Sequence, residues 1–71
     1  MTDAGLCHTN GWKVGDVLEG YTGLPDPIRI RITAIGRRKM LAVKVSKSGE
    51  DETYESTWSL QCRPWRKVGE A

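Results

Sequence analysis

The chain has 71 residues, with eleven Lys or Arg against nine Asp or Glu and a formal net charge of +2. A chain of this length forms one domain with one small core, which buries roughly 60% of its unfolded surface. The charge is too balanced to require a nucleic-acid partner, and no apolar run approaches the ~18 residues of a membrane-spanning helix. The N-terminus lacks the layout of a signal peptide, so the cytosol is the expected location.

The chain contains two cysteines and one histidine, which are Cys7, Cys62 and His8. In a cytosolic protein, two unpaired thiols are the expected state. A Cys–His pair with one distant Cys lacks the spaced ligand pairs of a zinc site, so neither a metal nor another cofactor is predicted. Whether Cys7 and Cys62 ever pair is left open by the sequence.

Residues 1–11 have no apolar periodicity and are predicted to be a flexible leader that ends in an Asn-Gly turn. A turn at Gly15-Asp16 then leads into a short strand, in which Val17, Glu19 and Tyr21 alternate with Leu18 and Gly20. A glycine inside a strand indicates a bulge or a close backbone approach. The Pro-containing stretch 22–27 is a loop. Its Leu24 is expected either to cap the core or to serve as a contact residue.

The central feature is a β-hairpin over residues 28–45, IRIRITAIGRRKMLAVKV, with a four-residue loop at 36–39. Pairing Ile35 with Met40 sets the register of the two strands. Three apolar cross-strand pairs then lie on one face of the hairpin: Ala34 with Leu41, Ile32 with Val43, and Ile30 with Val45. We expect this face to be buried and to maintain the register.

The opposite face of the hairpin is partly basic. Arg31 falls opposite Lys44 in the predicted register, and Ile35, Met40 and Ala42 lie near a tip that carries three consecutive cations. One interpretation is an anion-binding face with an apolar patch beside it. The alternative is a solvated face whose cations are neutralised by the next strand.

A third strand is predicted over 54–62, after a polar turn with four acids between Glu50 and Glu55. Antiparallel pairing would place Leu41 opposite Trp58 and Lys44 opposite Glu55. Pro64 ends this strand, a short closing strand follows over 65–68, and 69–71 is a tail. Trp12 and Trp65 are expected to lie close together. The sequence thus predicts an all-β fold over residues 12–68, a small, strongly bent barrel of four to five antiparallel strands.

Residues 12–20, WKVGDVLEG, followed by a hairpin and a Trp-bearing strand, resemble an SH3-like barrel of the kind found in KOW and Tudor-type proteins. Residues 30–36, 55–60 and 65–68 resemble short proteins of unassigned role encoded by tailed bacteriophages and prophages. This resemblance implies a small phage accessory protein in the cytoplasm of the bacterial host.

No motif for nucleophilic catalysis or for a phosphate-binding loop is present, so we do not expect an enzyme. The first hypothesis for function is docking on a host or phage protein, or on a second copy of the chain, through the apolar hairpin tip or an exposed strand edge. The alternative is weak, salt-dependent nucleic-acid binding by the basic hairpin. The predicted contact residues for either partner are Arg29, Arg31, Ile35, Arg37, Arg38, Lys39, Met40 and Lys44.

Overall fold

The computed structural model describes residues 2–21 and 25–70, without the side chain of Glu70, so the predicted roles of Leu24 lie outside the described residues. It contains one helix, α1 Asp3–Asn10, and five strands: β1 Asp16–Gly20, β2 Ile28–Ile35, β3 Met40–Val45, β4 Ser56–Thr57 and β5 Trp65–Glu70. All strand pairs are antiparallel, in the order β4-β3-β2-β1-β5. The predicted all-β fold of four to five antiparallel strands is confirmed. Among the described strands no ladder joins β4 to β5, so the sheet is unclosed.

The prediction of a flexible leader over residues 1–11 is wrong, because α1 occupies most of it. Thr2 caps the helix, its Oγ1 accepting from the Gly5 N–H at 3.0 Å, and Gly11 ends it in the left-handed conformation at φ 72°. Ala4 and Cys7 are completely buried. The helix was not predicted because only these two small side chains form its buried stripe, which is too narrow to produce an amphipathic pattern.

The predicted hairpin is present, and its register is correct at the tip but not beyond it. Ile35 pairs with Met40 and Ala34 with Leu41, as expected. Ile32 then pairs with Ala42 instead of Val43, because Thr33 is an extra residue that forms a β-bulge in β2. Past the bulge every pairing is displaced by one position, so that Arg31 lies opposite Val43 and does not face Lys44.

The bulge distributes apolar side chains over both faces of the sheet. The core face packs against α1 and the segment after β4, and its buried cluster consists of Cys7, Leu18, Ile30, Ile32, Met40, Ala42 and Leu60. The outer face carries two rows of paired residues. One row runs Gly69, Val17, Arg31, Val43 and the other Arg66, Glu19, Arg29, Val45. Val43 and Val45 are nevertheless only 6% exposed.

The third strand is much shorter than predicted. Within the predicted range 54–62, only Ser56 and Thr57 pair with β3, and Leu41 faces Thr57 rather than Trp58. The chain then leaves the sheet and buries Leu60, whose N–H donates to Asp3 Oδ1 at 2.9 Å. This contact fastens the N-terminus of α1 over the core.

The closing strand is longer than predicted. β5 extends from Trp65 to Glu70, so Gly69 and Glu70 belong to the sheet and not to a tail. Pairing with β1 supplies the hydrogen bonds that order these residues.

Candidate functional site

The eight predicted contact residues do not form one surface. Met40 is completely buried in the core cluster and Ile35 packs against it partly buried. The apolar tip that motivated the docking hypothesis is therefore absent at these positions. The bulge at Thr33 is the reason, because it turns Met40 and Ala42 to the same face as the isoleucines.

Three of the predicted cations are paired with acids. Arg29 Nε lies 3.2 Å from Glu19 Oε2, Arg31 donates to Asp51 with a shortest distance of 2.7 Å, and Lys44 Nζ lies 3.7 Å from Glu52. These contacts neutralise the three cations, as the second interpretation expected, but not through the next strand. The neutralising acids come from β1 and from the turn after β3.

The hairpin tip is the part of the predicted basic surface that stays cationic. Arg37, Arg38 and Lys39 are exposed, and no acidic side chain that the structure describes forms an ion pair with them. The tip backbone is held in place, since the Arg38 carbonyl accepts from the Ala4 N–H at 3.0 Å. The three charges thus project from a fixed loop.

A groove at the opposite end of the sheet contains none of the predicted site residues. It encloses about 280 Å³ and is lined by Glu19, Tyr21, Pro27, Pro64, Trp65 and Arg66. Strand pairing creates it, because Gly20 faces Trp65 across the β1–β5 ladder. Tyr21, the residue after β1, is 68% exposed. Two aromatic rings and two proline rings therefore line one groove.

The indole of Trp65 lies directly over Gly20. A Cβ atom at that glycine would be only 2.7 Å from the indole ring. The sequence left a bulge or a close backbone approach open at Gly20, and the structure shows a close approach that is made by a side chain. The ring of Trp58 meets that of Trp65 edge to face with centroids 6.3 Å apart, and both tryptophans are partly buried against the core cluster. The sequence did not predict this contact between Trp58 and Trp65.

Glu19 connects three strands at the edge of the groove. Its Oε2 accepts from Arg29 Nε on β2 and its Oε1 accepts from a terminal nitrogen of Arg66 on β5 at 3.1 Å. The hydrogen bond from Arg66 and then that from Arg29 lower the pKa of the Glu19 carboxyl, against an opposing effect of partial burial. The Glu19 side chain is 14% exposed and that of Arg66 is 77% exposed. The groove therefore presents a guanidinium to solvent.

The edges of the sheet are poorly suited to adding a strand. β4 is two residues long, and β5 carries a bulge at Val68, since Lys67 pairs with Leu18 and Gly69 with Val17. Short or bulged edge strands resist pairing with a further chain. Docking by strand addition is therefore less favoured than docking on a side-chain surface.

Both cysteines are free, Cys7 buried and Cys62 exposed. Burial, with a smaller effect from the Asp3 charge, raises the pKa of the Cys7 thiol, which keeps it protonated and unreactive. Among the described residues, no group of three His, Cys, Asp or Glu side chains could hold a metal ion. In the same part of the chain, no helix is long and apolar enough to cross a membrane.

The residues that line the groove are recognisable in the sequence as aromatic and proline residues, but they lie far apart in the chain. Gly20 and Tyr21 adjoin near the start of the chain, and Pro64 and Trp65 adjoin near its end. Only the pairing of β1 with β5 brings them together.

The fold and the groove define a small antiparallel β-sheet protein, closed on one face by a helix and carrying an aromatic groove at one end. The chain belongs to the family described as Domain of unknown function (DUF7241), whose model matches residues 1–70. The matched range includes α1 and β5. No curated protein and no solved structure matches the chain.

Proposed function

We propose that the protein is a non-enzymatic binding module that docks on another protein through the groove of Tyr21, Pro27, Pro64, Trp65 and Arg66. The observation that carries this proposal is the composition of the groove. Tyr, Trp and Arg are the residue types that dominate binding energy at protein interfaces, and one of each lines this site. Compared with the sequence-based hypothesis, the docking site moves from the hairpin tip to the β1–β5 end of the sheet.

The proposed setting is that of a phage accessory protein acting in the bacterial cytoplasm. Support comes from the resemblance of residues 30–36, 55–60 and 65–68 to short phage proteins. The likeness to SH3-like barrels is part of the same proposal. It is supported by a single sheet whose last strand returns to pair with the first.

Affinity capture with two tyrosine variants tests the docking proposal. Tyr21→Ala removes an exposed ring from the groove, whereas Tyr54→Ala removes a ring that is 95% exposed and does not line it. Both variants should fold, because neither ring is in the core. We expect a protein captured by the wild type from a bacterial lysate to be lost with Tyr21→Ala, by about tenfold for an interface anchor worth more than 1 kcal/mol, and retained with Tyr54→Ala.

Equal capture by all three proteins would contradict docking at the groove. Sedimentation of the purified chain supplies the remaining control, since a dimer that Tyr21→Ala dissociates would identify the partner as a second copy.

The hairpin tip supports a second candidate function, which is weak binding to the phosphate backbone of nucleic acids. Its specific observation is that Arg37, Arg38 and Lys39 project from the tip without acidic partners in the described chain. Each phosphate contact contributes a slope of about 0.9 to the dependence of log affinity on log salt, so three contacts give a slope of about 2.7.

Titration with labelled single- and double-stranded DNA and RNA tests this second candidate. The double variant Arg37→Glu/Arg38→Glu should reduce affinity several-fold at low salt and lower the slope by about two. Lys44→Glu/Lys47→Glu changes the net charge equally at two cations that are already paired with Glu52 and Asp26. An equal loss with both variants would mean that only net charge matters, and that the tip is not a site.

A further inference from the structure

The groove has the size and the walls to take one large apolar side chain. Its volume of about 280 Å³ is lined by two aromatic residues, Tyr21 and Trp65, and by two prolines, Pro27 and Pro64. Aromatic and proline rings favour flat, apolar groups, and an aromatic ring gains stacking or edge-to-face contacts in addition to burial. The chemistry of a partner that fits this groove rests on the proposed docking function.

The net charge around the groove is positive, even though the acid Glu19 lines it. Both oxygens of Glu19 are occupied, one by Arg29 and one by Arg66, so the three groups together carry two positive charges and one negative charge, a net +1. A further cation is close, because the Arg63 guanidinium carbon lies 5.9 Å from the centroid of the Trp65 ring. With Arg63 included the local sum is +2.

The difference in exposure between Glu19 and Arg66 determines which of their charges a bound partner contacts. The carboxylate of Glu19 is largely covered, whereas the Arg66 side chain is 77% exposed and uses one hydrogen bond to reach Glu19. The remaining N–H groups of the Arg66 guanidinium can donate hydrogen bonds to a carboxylate of the partner. Their planar arrangement matches the two oxygens of that group. A basic partner would instead have to displace Arg66 from Glu19.

We infer that the groove binds a protein segment that inserts an aromatic side chain into the space lined by Tyr21 and Trp65 and places a carboxylate on Arg66. The partner is thus an acidic segment with an aromatic anchor. A basic segment is repelled by the net positive charge of the arginines around the groove. Arg66 lies outside the core and beside the aromatic residues of the groove. It is therefore the residue that selects for a negatively charged partner.

Two small molecules of equal shape and opposite charge test this inference. Indole-3-acetate joins an aromatic ring to a carboxylate, and tryptamine joins the same ring to an ammonium. Each is titrated into the 71-residue chain labelled with nitrogen-15, and chemical-shift changes at Tyr21, Trp65 and Arg66 are followed. We expect indole-3-acetate to bind with a Kd about 5-fold lower than that of tryptamine, and the difference to shrink with added salt.

Variants locate the two parts of the site. Arg66→Gln should bring the two dissociation constants to within about 2-fold, because it removes the charge and keeps a polar side chain of similar length. Tyr21→Ala should weaken both ligands, and Tyr54→Ala should change neither. A preference for indole-3-acetate that Arg66→Gln leaves unchanged would overturn the assignment of Arg66 as the selecting residue.

Tighter binding of tryptamine, or equal binding of both ligands by the wild type, would overturn the inference. Docking at the groove would be unaffected by that result, because it depends on the loss of protein capture with Tyr21→Ala. Shift changes confined to residues outside the groove would also overturn the inference.

Discussion

Glu19 contributes both to the stability of the sheet and to the charge of the groove. Its carboxylate joins β2 and β5 to β1 through Arg29 and Arg66. The hydrogen bond from Arg66, reinforced by Arg29, lowers the pKa of this carboxyl below its ordinary value of 4.5. A group whose pKa is lowered by folding adds stability that is fully present above its unfolded pKa. That stability is lost as the pH falls through the folded pKa.

We therefore predict that Glu19→Gln lowers the melting temperature at pH 7 and that its difference from the wild type narrows as the pH falls below 4.5. Thermal unfolding followed by circular dichroism at pH 7, 5 and ~3 measures this. Glu55→Gln, at an exposed acid with no ion pair in the described chain, is the control and should show no such dependence. A Glu19→Gln effect that is constant across this range would rule out a contribution from the ionised carboxylate.

At the scale of the elements, the contact between Gly20 on β1 and Trp65 on β5 shapes the groove end of the sheet. The indole occupies the space that a side chain at position 20 would need, with ring atoms 2.7–2.9 Å from an added Cβ. Gly69 lies in the same ladder, but a Cβ there would be 3.8 Å from Val17, an ordinary contact distance. The two glycines differ in packing although both occupy strands.

Gly20→Ala should destabilise the protein by about 1–3 kcal/mol, because the Trp65 ring has to move out of its packed position. Gly69→Ala should cost much less. Urea unfolding monitored by tryptophan fluorescence gives both values, and the Gly20 variant should also alter the emission of the folded state. Equal costs for the two substitutions would contradict the packing described for Trp65.

On the scale of the whole molecule, α1 is a structural part of the domain. It brings Cys7 into the core cluster of the sheet, and Asp3 at its first turn accepts the N–H of Leu60 from the other end of the chain. Residues that are far apart in sequence thus cover one face of the sheet together. The family match, which extends over residues 1–70, includes this helix.

The two cysteines provide a matched test of the role of α1. Cys7→Ser puts a hydroxyl into the core and should cost about 1–3 kcal/mol of unfolding free energy. Cys62→Ser, at an exposed position, should be nearly neutral. Denaturant unfolding of both variants measures the difference. A negligible cost for Cys7→Ser would mean that residues 3–10 do not pack on the sheet in solution.

The hairpin was predictable because its alternation and its loop are local features. Ile30 and Ile32 alternate with arginines, and a four-residue loop between Ile35 and Met40 defines the tip pair that the structure contains. The bulge at Thr33 was not predictable in the same way. In β3, Leu41, Val43 and Val45 form one parity, and Met40 and Ala42 share the other with Lys44. The wholly apolar parity led to the predicted register, but Met40 and Ala42 can be buried as well, and the structure buries them.

The sequence by itself determined the all-β character, the hairpin with its tip pairing and the cationic loop 36–39, because each depends on residues adjacent in the chain. Tertiary structure alone decided the burial of Met40 and the pairing of Arg29 and Arg31 with acids. It also created the groove, since pairing β1 with β5 brings Tyr21 to Trp65 and Arg66 across more than half the chain. Such contacts depend on how the strands are ordered in space, and local patterns of hydrophobicity carry no information about that order.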